Sequence, residues 1–363
     1  MTMVSDSRSD LIDRFLERSG FGHAEQHPLS QDASTRRYIR LTGGPRPALV
    51  MDAPKVEAEP CPPEADEATR HALGWNAQSR LAASRVEAYV EIARFLKARG
   101  FSAPEIFAED IDAGLAIIED FGASLEFARL IERGEASEGA LYVAAAEAMA
   151  SLHREPAPSR LGDWPILDYD ALALRVNADL FADWLPQLVD DMRLTDADRA
   201  RWEREREALI EQADAFPRDF ILRDYHAENL LWLPGRTGIA RVGLLDFQDA
   251  VNGWDGWEMA MLVQDARRVV TEPARTAAIR TYLDGTGKSE ADFLMRLAVL
   301  GALNALRITG LFARLPVRDG KARYLQFMPR QQYLLAQNLM HPACEGMAAF
   351  VKDVAPFIFE VTQ

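Results

Sequence analysis

Apolar positions along the chain change period several times, and each change marks an element. Leu11, Ile12, Phe15 and Leu16 share one helical face, which Gly20 stops. The period then shortens: "RRYIRL", a Gly43-Gly44 turn and "ALVM" predict a hairpin, entered through a polar, small-residue turn at 30–35. Residues 52–78 are rich in Pro, Glu and Ala and have no periodicity, which reads as a mobile surface loop. Helical spacing returns over 80–99 through Val86, Tyr89, Val90, Ala93 and Leu96, with Gly100 as its end. "EIFAEDIDAGLAIIEDFG" predicts two short strands about a turn at Asp112–Gly114.

Past Gly122 the texture is helical. Amphipathic, Ala- and Leu-rich stretches fill 124–134, 138–154, 168–192 and 196–214, and similar patterns run on to about 342. One β-like interruption spans 219–250. The expected class is therefore α+β and bilobal. A small β-rich lobe (1–121) with one long helix would precede a larger, mainly helical lobe (122–363).

Composition changes this picture little. The chain has 363 residues, 48% of them hydrophobic and 27% charged, as expected of a soluble globular protein. Its net charge of −15 repels phosphate backbones and anionic lipid, so no nucleic-acid or membrane partner is expected. Cys61 and Cys344 form no CxxC pair, so a zinc or redox motif has no support. The charged, amphipathic N-terminus has no signal-peptide core, and a reducing cytoplasm is the expected location.

The chemistry is concentrated in the interruption. "ENLLWLPGRTGIARVGLLDFQDA" reads as two apolar runs about a Gly235–Gly238 turn, a hairpin that brings Asn229 to Asp246. Asp224 lies just upstream, so three oxygen-bearing side chains converge. An amide and a carboxylate suit Mg²⁺, which prefers hard oxygen ligands and keeps few of them from protein. Asp224 is then free to take a proton from a hydroxyl. "LRDYHAEN" followed by "LDFQ" fits the phosphoryl-transfer layout, with Leu222 in place of the usual His and Gln248 in place of the Gly. "HAE" also fits the first half of a zinc-deaminase signature, but the P-C-x-x-C half is absent. Arg223, His226, Glu228 and Asp249 are candidate acceptor contacts; His226 and Glu228 serve equally as hydrogen-bonding members of the loop, and Asp249, with Asp255, as a turn or cap residue.

Given these residues, the chain resembles the aminoglycoside phosphotransferase/choline kinase superfamily, whose members have the bilobal protein-kinase-like fold. "DASTRRYIRL", "LVMDAP", "IIEDFG", "RDYHAENLL" and "LLDFQDAVNG" look most like its branch of bacterial anomeric amino-sugar kinases. The resemblance implies an ATP- and Mg²⁺-dependent kinase of a small-molecule sugar, acting on the anomeric hydroxyl of N-acetylmuramate or N-acetylglucosamine in cell-wall recycling. It makes Asp224 the base and Asn229 and Asp246 the metal ligands. The backbone of Ile118, Glu119 and Asp120 would meet adenine. Asp32, Ser34, Thr35, Arg36 and Arg37 would cover the phosphates. The family's strand Lys is missing: Met51 stands at that cofactor-binding position, so either Arg36, Arg37 or Lys55 supplies the charge or phosphate affinity is weak. Without it, Glu87 or Glu91 on the following helix has no evident partner. Glu258, where the family commonly has an Asp, keeps a structural carboxylate. Aminoglycoside phosphorylation and a non-catalytic, nucleotide-binding pseudokinase are the alternatives.

Overall fold

The computed structural model describes residues 7–30, 36–54, 65–73 and 85–361. Helix α1 (Arg8–Arg18) starts at a capping box in which the Ser7 hydroxyl and Asp10 carboxylate satisfy each other's backbone amides. It covers one face of an antiparallel sheet built from β1 (Glu25–Pro28), β2 (Arg37–Thr42), β3 (Ala48–Asp52), β4 (Ile106–Asp110) and β5 (Leu115–Glu119), in the order β1-β2-β3-β5-β4.

Strand alternation sorts the side chains. Ala48, Val50, Leu115 and Ile117 face Ile12, Phe15 and Leu16 of α1. Met51, Ala116 and Ile118 face the other way, onto Tyr89, Val90 and Ala93 of helix α3 (Val86–Ala98). A fully buried large apolar side chain contributes about 1.5–3 kcal/mol, so each face of the sheet has its own anchor.

Within the stretch expected as loop, a short helix α2 (Glu67–Leu73) forms, and its Arg70 pairs with Asp170 at 2.5 Å. Asp170 also caps helix α6, so this segment is docked on the second lobe and the expectation fails for 65–73. The remainder of that stretch, apart from 52–54, lies outside the described residues.

The second lobe contains α4 (Phe127–Glu132), α5 (Glu138–Leu152), α6 (Ala171–Leu188), α7 (Asp196–Asp214), α8 (Trp257–Val263), α9 (Glu272–Thr286), α10 (Glu290–Asp319), α11 (Met328–Leu339) and α12 (Glu345–Val354). Between α5 and α6 a two-residue pair, β6 (Arg160–Leu161) and β7 (Trp164–Pro165), was not anticipated. Helix α10 is long and apolar because its faces are buried in the lobe: Phe293, Leu300, Leu303 and Leu306 are all core. Gly310 allows its close crossing with α6, since a Cβ there would lie 2.1 Å from the Leu180 carbonyl carbon.

The β interruption holds β8 (Arg218–Ile221), β9 (Leu230–Trp232), β10 (Val242–Leu244) and β11 (Val251–Trp254). β9 pairs with β10 as the sequence predicts, Leu230 opposite Leu244. β11 returns to pair with β8, a long-range pairing that closes the catalytic segment into one unit. Leu244 N–H donates to Ser102 O at 2.8 Å, which ties this unit to the chain leaving α3.

Candidate active site

Asp224 sits on the turn after β8. Arg223 just before it takes φ +72°, a left-handed value that a non-glycine residue holds only when its surroundings fix it. Those surroundings are specific. Glu258 Oε1 accepts the Leu222 amide at 2.6 Å, and Trp257 Nε1 donates to Arg223 O at 3.3 Å. His153 Nε2 holds the other Glu258 oxygen at 2.6 Å. Burial alone would lower the His153 pKa, but the Glu258 hydrogen bond and the charges of Glu258 and Asp219 leave it raised. Glu258 is thus the carboxylate that shapes the loop.

Asn229 lies at the start of β9. Its Nδ2 donates to Asp224 O at 3.0 Å. Leu245 N–H donates to Asn229 O at 3.0 Å, so the hairpin sets Asn229 directly beside the residue preceding Asp246. Asp246 also takes a left-handed φ, +55°. Its Oδ1 accepts from Arg36 Nη2 at 2.5 Å and from Gln248 Nε2 at 3.0 Å. The sequence-predicted base and both metal candidates therefore meet in the cleft. Asn229 and Asp246 offer hard oxygen donors of the kind that suit a divalent ion, and the Arg36 guanidinium already answers the Asp246 charge.

The strand-lysine position is apolar. Met51 is fully buried opposite Tyr38 and Ala116, near Tyr89, whose ring stacks on Phe247 at 4.7 Å. Met51 has no accessible atom for a cofactor, so its assignment to cofactor binding is corrected. Of the two arginines entering β2, only Arg36 faces the cleft. Arg37 points to the opposite face and pairs with Asp52 at 2.6 Å, beside Arg8, so its assignment to the phosphates is also corrected. Glu87 is held by its neighbour Arg85, and Glu91 by Arg94. Asp32, Ser34, Thr35 and Lys55 lie outside the described residues.

At the expected adenine edge the backbone is largely engaged. Ile118 lies inside the sheet between Leu49 and Ile106. Glu119 N–H donates to Glu105 O (2.8 Å) and Asp120 N–H to Pro47 O (3.4 Å). Their amides are thus not available to a base. Arg236 and Arg40 hold the side chains of Glu119 and Asp120 at 2.6 and 2.5 Å. Phe121 is the next residue whose amide has no protein acceptor among the described residues.

The other candidates divide. Asp249 faces the cleft: burial pushes its pKa up to about 6, with Arg223 and Arg36 pulling it down and Asp224 and Asp246 pushing it up. Arg223 stacks its guanidinium 4.6 Å from the Tyr169 ring centre. His226 Nε2 sits 3.4 Å from Asn229 Nδ2, inside the loop. Glu228 turns outward to Arg267 at 3.0 Å, so its assignment to the acceptor is corrected. Gln248 was not singled out as a site residue, although it is the residue that replaces Gly after "DF". Asp255, expected as a turn or cap residue, is instead fully buried among Lys288 (2.8 Å), Arg296 and Tyr282 (2.9 Å). His153, Asp219 and Asp255 come close enough to hold a metal, but the Lys288 ammonium bonds both carboxylates and supplies the positive charge there.

This layout, an antiparallel sheet over a helical lobe with Asp224, Asn229 and Asp246 between them, is that of the protein-kinase-like small-molecule kinases. A choline/ethanolamine kinase family protein from Mesorhizobium loti matches 96% of this chain and 100% of its own with a TM-score of 0.57 at 15% identity. An ADP-bound aminoglycoside phosphotransferase matches 90% and 99% with a TM-score of 0.53 at 12% identity. The chain belongs to the phosphotransferase enzyme family, whose profile matches residues 25–294. An N-acetylmuramate/N-acetylglucosamine kinase of Caulobacter vibrioides is 44% identical, over 97% of this chain and 98% of that protein. Another so named, from Pseudomonas aeruginosa, is 31% identical over 85% and 81%.

Proposed function

We propose that the protein is an ATP- and Mg²⁺-dependent kinase that phosphorylates the anomeric hydroxyl of N-acetylmuramate and N-acetylglucosamine. The 44% identity to the Caulobacter kinase over nearly the whole chain carries this reading. The convergence of Asp224, Asn229 and Asp246 supports it from the chemistry.

In this reading Asp224 accepts the sugar hydroxyl proton as the oxygen bonds to the γ-phosphorus and ADP leaves. No described residue donates to its carboxylate, which leaves both oxygens for the acceptor. Asn229 and Asp246 would hold the Mg²⁺, which would supply positive charge to the nucleotide phosphates. Arg36, released from Asp246, takes the phosphate charge that the strand Lys carries elsewhere. Arg36→Met is then expected to weaken nucleotide binding about 10- to 100-fold, the loss of one charge-assisted contact. Calorimetric titration with a non-hydrolysable ATP analogue measures it, and unchanged affinity would remove Arg36 from the phosphate site.

A panel of N-acetylglucosamine, N-acetylmuramate, choline, homoserine and kanamycin, with products mapped by NMR, tests the function. Phosphate on the anomeric oxygen of both amino sugars is the expected result. Phosphorylation of kanamycin alone would make it an antibiotic-modifying enzyme. Nucleotide binding with no transfer to any acceptor would make it a pseudokinase, the alternative raised by the buried Met51.

A further inference from the structure

Arg307 lies on α10, one turn after Asn304, in a helix whose neighbouring positions are apolar core. Its Nε and Nη2 both donate to Asn304 Oδ1, at 3.1 and 2.9 Å. Asn304 is itself buried, with Nδ2 against Met261 Sδ at 3.3 Å, and so is locked in place. A guanidinium has five N–H donors, so this bond leaves most of one edge unused. No carboxylate pairs with Arg307 among the described residues.

The neighbours of this group are Tyr169, Arg223 and Asp224. Arg223 has Asp224 and Asp249 close by to answer its charge, and its Nε has no partner among the described residues. Arg307 has only a carboxamide bonded to it. Burial lowers its pKa and the repulsion of Arg223 adds to that, while Tyr169 and Asp224 pull it up without bonding to it. The acceptor hydroxyl must lie within hydrogen-bond reach of Asp224, and the rest of the sugar therefore extends over these same residues.

The two sugars of the proposed function differ by one group: N-acetylmuramate carries a lactyl ether ending in a carboxylate, and N-acetylglucosamine carries a free hydroxyl there. We propose that Arg307, held by Asn304, binds the acceptor's carboxylate and sets the preference between the acidic and the neutral sugar. This rests on the amino-sugar kinase reading. A fork fixed at one edge presents its other edge for planar, bidentate recognition of a carboxylate. With the neutral sugar, water takes that place.

The test is the ratio of kcat/KM for N-acetylmuramate to that for N-acetylglucosamine, in wild type, Arg307→Met and Arg307→Lys. The Met variant is expected to shift the ratio about 10- to 100-fold toward the neutral sugar, through KM of the acid, with the Lys variant between. An unshifted ratio, whether both activities fall together or neither does, overturns the assignment. A second measurement needs no variant: the methyl ester of N-acetylmuramate should be a poorer wild-type substrate than the acid by a similar factor. An ester as good as the acid overturns it even if the variants do not fold. If wild type phosphorylates neither sugar, the amino-sugar reading fails and takes this assignment with it. Turnover of both with an unshifted ratio removes Arg307 alone.

Discussion

Asp224→Asn should lower sugar-dependent ADP release by about 10²–10⁴-fold while nucleotide affinity and melting temperature stay near wild type. The carboxylate receives no hydrogen bond from the described residues, and the loop around it is held through backbone groups: Leu222 N–H on Glu258, Arg223 O on Trp257 and Asp224 O on Asn229. An isosteric amide leaves all of these in place. It removes only the ability to take a proton. A coupled assay for ADP, run beside a thermal melt, separates lost chemistry from lost structure. Turnover near the wild-type rate in a folded variant would show that Asp224 is not the base.

Asp255→Ala should have the largest effect on stability, about 3–5 kcal/mol, because it leaves two cations without their shared anion in the interior. Lys288 keeps Asp219 as a partner, but Arg296 loses its only bonded carboxylate among the described residues. The damage also reaches the cleft. Tyr282 OH donates to Asp255 and sits 2.9 Å from His153 Nδ1, and His153 holds the Glu258 that shapes the catalytic loop. Urea unfolding of the variant measures the loss. A change below about 1 kcal/mol would mean that the cations find other partners, as the surroundings of a surface pair would allow.

Asp255 also marks where the sequence stops being readable. Its partners Lys288 and Arg296 lie on or before later helices, and nothing near residue 255 announces them. The pairing of β11 with β8 is hidden for the same reason, since no local turn joins them. Local signals fared better. The sheet hairpin and the 229–246 hairpin were legible because period-two apolar runs flank a glycine turn, and the proposed metal pair, Asn229 and Asp246, came with the second of them. Period two also held an answer left unused. Once Met51 is inward on β3, its partner Tyr38 fixes the register of β2, and Arg36 and Arg37 must then face opposite ways. Arg307 left a fainter trace, a charged residue inside the apolar run "LAVLGALNALRITGLF". Such a residue is either a snorkelling side chain or a functional one, and only its neighbours separate the two.

The contact between Arg36 and Asp246 has a thermodynamic corollary. An open cleft with a bare aspartate would have no ion pair to part when a metal–nucleotide arrived. On the proposed reading, Arg36 would leave Asp246 as the metal came and would move to the incoming polyanion. On that reading, loading would replace one ion pair by two, Asp246 with the metal and Arg36 with the phosphates. The cost of parting the resting pair would then be returned at the phosphates, which would favour ligands that bring both signs together.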